Sequence, residues 1–221
     1  MQTLPLLDVY KSKAIIAEVM ALTLGETKGC CHVAYDGERG EQYRFPGGAV
    51  WSVSSHWATQ ITGFKAALLR GEGKVVLAFA GTDSLIDVAV DILQVVGGIP
   101  PQYPQALLLA RAVQGRVGSS LELAGHSLGG GLAAFVSSEL RIPASTVNPA
   151  PLIGAATFRA LLGDNPQITN YIARGGEFVS SSPGRNPGRD VEVSSTGGML
   201  GFFTDHMLSN VAPDIALPVK I

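Results

Sequence analysis

The 221-residue chain is predicted to adopt an α/β fold, with a mainly parallel sheet flanked by helices. Short apolar runs such as VVLAFAG (75–81) and SLELAG (120–125) are typical of strands buried on both faces. These runs alternate with segments that have helical character, at 105–117 and 128–140, which favours parallel strands joined by helices. The length and the 46% hydrophobic content suit one domain over residues 1–221.

The N-terminal part of the chain gives one helix and one strand pair. Apolar spacing predicts a helix over 8–24 that stops at Gly25, whereas 32–58 has no clear period and is interpreted as irregular. The runs 61–69 and 75–81, separated by a GEGK turn, predict two paired strands.

Further elements are expected on either side of the central strand 120–125. The segment 84–96 is predicted to be helical and is followed by a Pro-rich loop. In the later part of the chain, two strands are predicted at 144–151 and 168–175, with a short helix between them at 155–163. The segment 180–200 is rich in Ser, Gly and Pro and is predicted to be a loop.

Composition excludes several classes of protein. A net charge of -2 gives no electrostatic footprint for nucleic acid. The charged fraction of 15% is below the usual value of about 25%, which suits either contact with lipid or a partner, or a compact Gly/Ala-rich core. Cys30 and Cys31 are adjacent, so neither a disulfide nor a metal site is expected from them.

Targeting signals are not evident in the sequence. No basic start followed by an apolar stretch indicates a secretory signal, and no apolar run is long enough for a transmembrane segment. We therefore expect a soluble chain that is cytoplasmic or exported by a signal-independent route. Its oligomeric state does not follow from the sequence.

The stretch LELAGHSLGGG (121–131) contains the motif G-x-S-x-G between a buried strand and a helix. This is the context of a nucleophile elbow, a sharp turn that lifts a serine hydroxyl to the N-terminus of a helix. Gly125 and Gly129 would remove side chains that clash where strand and helix converge. Ser127 is therefore predicted to be a nucleophile.

A serine nucleophile needs a base and an orienting acid. Hydrolases built on this elbow have the order nucleophile, acid, histidine, and His206 is the only histidine after the serine. His126 adjoins the serine, and we expect it to pack or hydrogen-bond locally. Glu177, which follows the strand 168–175, is the preferred acid, and Asp190 is the alternative.

Acyl transfer also needs hydrogen-bond donors for the oxyanion. The backbone N–H of Leu128 follows the nucleophile directly. The loop FAGTD (79–83) supplies the second candidate, because Gly81 allows close approach and Thr82 offers its N–H and its hydroxyl.

Several segments in order resemble the class 3 lipases, the fungal-lipase-like branch of the α/β-hydrolases. AGHSLGGGLAA is similar to the family's nucleophile elbow, and VVLAFAGTDSLIDVAVDI to its oxyanion loop and the stretch after it. VNPAPLIGAATF, YIARGGEFVSSSP and DHMLSNV resemble later family segments. The resemblance implies an α/β-hydrolase fold, with Ser127, Glu177 and His206 as the triad and Thr82 and Leu128 as the oxyanion hole.

The resemblance also implies a lid over 84–104. The chain departs from the family pattern at Glu177, where an aspartate is usual, and at Ala80, where an arginine is usual.

The expected activity is hydrolysis of lipid esters through an acyl-enzyme, as in an acylglycerol lipase or a phospholipase of type A. The substrate would be met at a membrane or micelle surface, and no metal or cofactor is required. A short-chain carboxylesterase is the closest alternative. A lipase-fold protein that binds without catalysis, and a toxin that attacks the membranes of other cells, are the others.

Overall fold

The computed structural model describes residues 22–81, 100–153, 167–174, 180, 184–196 and 207–221. Within these residues three α-helices flank one sheet, and a short 3-10 helix spans Gly118–Ser120. The α-helices are α1 (Leu24–Asp36), α2 (Gln102–Val117) and α3 (Leu128–Leu140). The strands are β1 (Gln42–Arg44), β2 (Val50–Ala58), β3 (Lys65–Gly71), β4 (Lys74–Phe79), β5 (Leu121–His126), β6 (Ala144–Val147), β7 (Ile168–Ala173), β8 (Arg189–Val193) and β9 (Val219–Lys220).

The nine described strands form a single sheet in the order β8-β7-β6-β5-β4-β3-β2-β1-β9. Strands β4 to β8 are parallel to one another, whereas β3, β2, β1 and β9 are added by antiparallel pairing. The α/β-hydrolase fold predicted for the chain is confirmed, and its parallel part is the half that contains β5. The predicted strand pair at 61–69 and 75–81 is the antiparallel hairpin β3–β4.

Two layers of helix bury the two faces of the sheet. Helices α2 and α3 pack with Leu121 and Leu123 of β5 on one face. Residues of α1 pack with Ala124 on the other face. Successive side chains of a strand point to opposite faces, so β5 is buried along its whole length, as its apolar sequence predicted.

The N-terminal part differs from the sequence prediction. The predicted helix over 8–24 lies largely outside the described residues, and its predicted stop at Gly25 is wrong, because Gly25 lies in the first turn of α1. Thr23 and Glu26 begin this helix with a reciprocal capping box. The segment 32–58 is not irregular, since it contains the end of α1 and strands β1 and β2.

The later elements agree better with the prediction. Helix α3 has the predicted bounds, and β5, β6 and β7 lie within one to four residues of theirs. The tail 180–200 is not entirely loop, because β8 joins the parallel edge of the sheet. The predicted helix at 155–163 lies outside the described residues, as do residues 82–99 of the predicted helix and lid.

Cys30 and Cys31 are buried in α1 as free thiols. Burial raises the pKa of both groups, which disfavours the reactive thiolate.

Candidate active site

Ser127 occupies the turn between β5 and α3 in a backbone conformation that residues other than glycine rarely adopt, with φ 58° and ψ -127°. Hydrogen bonds hold this conformation on both sides. The N–H of Ser127 donates to the carbonyl oxygen of Val147 at 3.2 Å, and its own carbonyl accepts from Ala150 N–H at 2.8 Å. The predicted sharp turn is therefore present, fixed between β6 and the start of α3.

Gly125 and Gly129 are sterically required, as predicted. A Cβ at Gly125 would lie 2.1 Å from the carbonyl oxygen of Gly129. A Cβ at Gly129 would lie 2.2 Å from the carbonyl oxygen of Phe79, at the end of β4. Since both obstacles are backbone atoms, any larger residue would push α3 away from the sheet.

The hydroxyl of Ser127 is buried and has no hydrogen-bond partner among the described residues. It does not cap α3. Leu128 is the first residue of that helix, so its N–H has no acceptor within the helix. A developing negative charge beside Ser127 would therefore meet a helix N-terminus and a free N–H donor.

Gly81 approaches the serine from the end of β4. A Cβ at Gly81 would lie 2.9 Å from Ser127 Cβ and 2.8 Å from the Tyr35 hydroxyl. This hydroxyl accepts a hydrogen bond from Gly81 N–H at 3.1 Å and lies 2.8 Å from His126 Nδ1. His126 is thus engaged locally, as expected.

The carboxyl ends of three parallel strands are tied together beside the serine. Asn148, the residue after β6, donates its N–H to Tyr171 O at 2.9 Å and accepts from Ala173 N–H through Oδ1 at 2.9 Å. Together with the hydrogen bond from Ser127 to Val147, these contacts link β5, β6 and β7 at the edge where active sites of α/β sheets lie.

Three of the predicted site residues, Thr82, Glu177 and His206, lie outside the described residues. Their assignments remain predictions. All three lie close in sequence to described residues. Thr82 follows Gly81, Glu177 comes three residues after Arg174, and His206 precedes Met207.

Asp190, the alternative acid, is exposed on β8, and its Oδ1 accepts a hydrogen bond from Asn170 Nδ2 at 2.9 Å. It is level with Gly125 of β5 through the registers of β5, β6, β7 and β8. Three strand spacings of about 4.8 Å separate the two backbones by about 14 Å.

Comparison with known proteins assigns the chain to a family. Residues 49–172 match the model of the Tle-like phospholipase domain, and the chain belongs to this family. The extracellular phospholipase A1 of Serratia liquefaciens is 39% identical over 115 residues, which are 52% of this chain and 35% of that protein. The matched region is thus about a third of the length of this relative.

Solved structures of fungal lipases share the fold. The chain resembles the triacylglycerol lipase of Penicillium expansum at a TM-score of 0.56 and 15% identity, covering 77% of this chain and 78% of that one. It resembles the native Rhizomucor miehei lipase propeptide complex at 0.58 and 15%, covering 91% and 82%. The likeness in fold to the fungal lipases, which the sequence resemblance implied, is confirmed.

None of the described helices is both long and apolar enough to cross a membrane. The described residues also contain no cluster of three or more His, Cys, Asp or Glu side chains arranged to hold a metal ion.

Proposed function

We propose that the protein is a serine hydrolase of lipid esters, with Ser127 as its nucleophile. The observation that carries this proposal is the Ser127 hydroxyl, which is buried without a described partner on a strained turn at the N-terminus of α3. The family of phospholipase domains and the Serratia phospholipase A1 favour phospholipids as substrates, cleaved as by a phospholipase of type A.

The proposed mechanism proceeds through an acyl-enzyme. His206 takes the proton of Ser127 as its Oγ attacks the ester carbonyl, and the N–H groups of Leu128 and Thr82 stabilise the oxyanion. The tetrahedral intermediate collapses, and His206 gives the proton to the leaving alcohol. His206 then activates water to release the acid, while Glu177 orients the imidazole.

We propose Glu177 rather than Asp190 as the acid. Strand β7 ends at Ala173, so Glu177 follows the carboxyl end of a strand two places from β5. The Asp190 carboxylate already accepts from Asn170, and its backbone is about 14 Å from that of Gly125.

We further propose that this edge of the sheet meets a lipid surface. Ile61 is 99% exposed in the turn between β2 and β3, at the edge that carries Gly81 and Ser127. Residues 57–64 and 100–110 contain no charged side chain. Thr62 fixes the turn on α2, because its Oγ1 donates to Gln105 Oε1 at 2.9 Å and its carbonyl accepts from Gln102 Nε2 at 2.7 Å.

The direct test is labelling with a fluorophosphonate followed by peptide mass spectrometry. We expect label on Ser127, none in Ser127→Ala, and labelling at least about 100-fold slower in Glu177→Ala. Asp190→Ala is the matched control and should label as fast as the wild type. Normal labelling of Glu177→Ala with slow labelling of Asp190→Ala would assign the acid to Asp190, and no label on Ser127 would contradict the hydrolase.

Substrate class is tested by comparing phosphatidylcholine vesicles with soluble p-nitrophenyl butyrate. We expect hydrolysis of the vesicles, and Ile61→Ser should raise the lipid concentration for half-maximal rate without changing butyrate hydrolysis. Ile221→Ser, at the far end of the sheet, is the control for an exposed isoleucine. Rates that fall steadily with acyl-chain length, with no increase at an interface, would indicate a short-chain carboxylesterase instead.

A further inference from the structure

The Tyr35 hydroxyl, on the last turn of α1, lies between two groups of the active site. It accepts from Gly81 N–H at 3.1 Å and is 2.8 Å from His126 Nδ1. The Tyr35 hydroxyl is therefore hydrogen-bonded to both groups, and the tautomer of His126 sets which partner donates in the bond to Nδ1.

The hydroxyl acts at the point where β4 leaves the sheet. The last hydrogen bond that links the end of β4 to β3 runs from Ala80 N–H to Lys65 O at 3.1 Å, and Gly81 is the next residue. Gly81 is packed so closely against Ser127 that a Cβ would lie 2.9 Å from Ser127 Cβ. Tyr35 thus holds the first residue beyond the sheet against the serine, and His126 fixes the orientation of the Tyr35 hydroxyl.

We infer that Tyr35 and His126 are positioning residues for the oxyanion loop that begins at Gly81. This inference rests on the proposed function. Gly81 joins the peptide unit that Tyr35 holds to the unit that contains the N–H of Thr82, the proposed donor, so a shift of the Gly81 Cα displaces the start of that second unit. Oxyanion donors act at about 2.7–3.1 Å, so a displacement of about 1 Å weakens the transition state more than the ground state.

The test removes the hydroxyl alone, in Tyr35→Phe. We expect kcat for p-nitrophenyl butyrate to fall about 10- to 100-fold with KM nearly unchanged, less than the loss of a whole donor. Binding of an alkyl trifluoromethyl ketone, which forms an oxyanion on adding to Ser127, should weaken by the same factor. Tyr171→Phe is the matched control: its hydroxyl donates to the carbonyl of Leu22, two residues before α1, at 3.3 Å, and its loss should leave kcat within about twofold.

A second pair of variants tests the same contact from its other side. His126→Asn keeps an amide that can form a hydrogen bond near the position of Nδ1, whereas His126→Ala removes the partner, so we expect the asparagine variant to retain clearly more activity. If Tyr35→Phe does not fold, this pair decides the question, and equal activity of the two variants overturns the inference.

Two further outcomes would also overturn the positioning role of Tyr35 and His126. One is that Tyr35→Phe has the same kcat as the control Tyr171→Phe. The other is a kcat that falls only in proportion to the folded fraction measured by urea unfolding. A wild type that neither hydrolyses the ester nor labels at Ser127 would overturn the proposed function and the positioning role with it, whereas an active wild type with an unaltered Tyr35→Phe overturns the positioning role alone.

Discussion

Two buried polar groups of this protein, the Lys28 ammonium and the Ser127 hydroxyl, differ in their hydrogen bonding. The Lys28 side chain, on α1, is fully buried, and its Nζ donates to three carbonyl oxygens, of Val211, Ala212 and Ile215. The Ser127 hydroxyl is equally buried but has no partner among the described residues. Buried polar groups are normally hydrogen-bonded, and Lys28 is, as expected of a structural residue. Ser127, the proposed nucleophile, is the exception.

Replacing both groups by apolar ones tests this contrast most strongly. Lys28→Met removes three hydrogen bonds and leaves the buried carbonyl of Val211 without its lysine donor, whereas the carbonyl of Ala212 still accepts from Ile215 N–H. We expect the free energy of unfolding to fall by about 3 kcal/mol. Ser127→Ala is the counterpart and should change it by less than about 0.5 kcal/mol, because no described hydrogen bond is lost. Urea unfolding followed by circular dichroism measures both, and equal costs for the two substitutions would contradict the comparison.

The elbow was predictable because its residues stand in a short, fixed sequence spacing, G-x-S-x-G. The constraint on Gly125 is local, since it comes from the backbone of Gly129 and Gly130, whereas the constraint on Gly129 comes from Phe79 and Ala80 at the end of β4. The partners of Lys28 were not predictable, since they lie 183 to 187 residues away along the chain. Such contacts leave no periodic pattern in the sequence.

The missed elements have physical reasons. Strand β2 has a bulge between Val53 and Ser55, which shifts the alternation of apolar side chains and hides the strand. Strand β8 lies at an edge of the sheet and is largely exposed, so it has no apolar run. Helix α1 contains Gly29 because the Phe45 ring occupies the place of a Cβ, 2.2 Å away, and this glycine weakens the helical pattern.

One signal for α1 was present in the sequence. Thr23 and Glu26 form the pattern T-x-x-E of a capping box, which marks the start of a helix. This signal would have placed Tyr35 near the end of a helix rather than in irregular chain. The contact between Tyr35 and His126 depends on how α1 packs on β5, so the sequence would still not have predicted it.

The next largest expected effect is the pH dependence of the free energy of unfolding, and it comes from Glu122, a buried carboxyl group. It faces α1 from β5, and burial raises its pKa from 4.5 to about 7, with Lys74 opposing and Glu26 adding to the shift. Between these two pKa values the folded state binds more protons than the unfolded state, so the free energy of unfolding decreases as the pH rises from 4.5 to 7. We expect a decrease on the order of 2 kcal/mol.

Urea unfolding at several pH values between 4.5 and 8 measures this effect. Glu122→Gln should remove most of the decrease, because the amide does not titrate. Glu72→Gln, on the exposed turn between β3 and β4, is the control and should follow the wild type. A Glu122→Gln variant with the slope of the wild type would show that another group is responsible.

The smallest expected effect concerns the backbone strain at Ser127. At φ 58° and ψ -127° a residue with a Cβ is strained by about 1–3 kcal/mol, whereas glycine is not. After the entropic cost of a glycine, about 0.5–1 kcal/mol, Ser127→Gly should be more stable than Ser127→Ala by about 1 kcal/mol. Ala134→Gly, in the middle of α3, should instead lose about 1 kcal/mol, because its conformation is an ordinary helical one. If Ser127→Gly unfolded at lower urea than Ser127→Ala, the turn would not be strained, and the serine would lack the conformational cost that distinguishes a nucleophile elbow from an ordinary helix start.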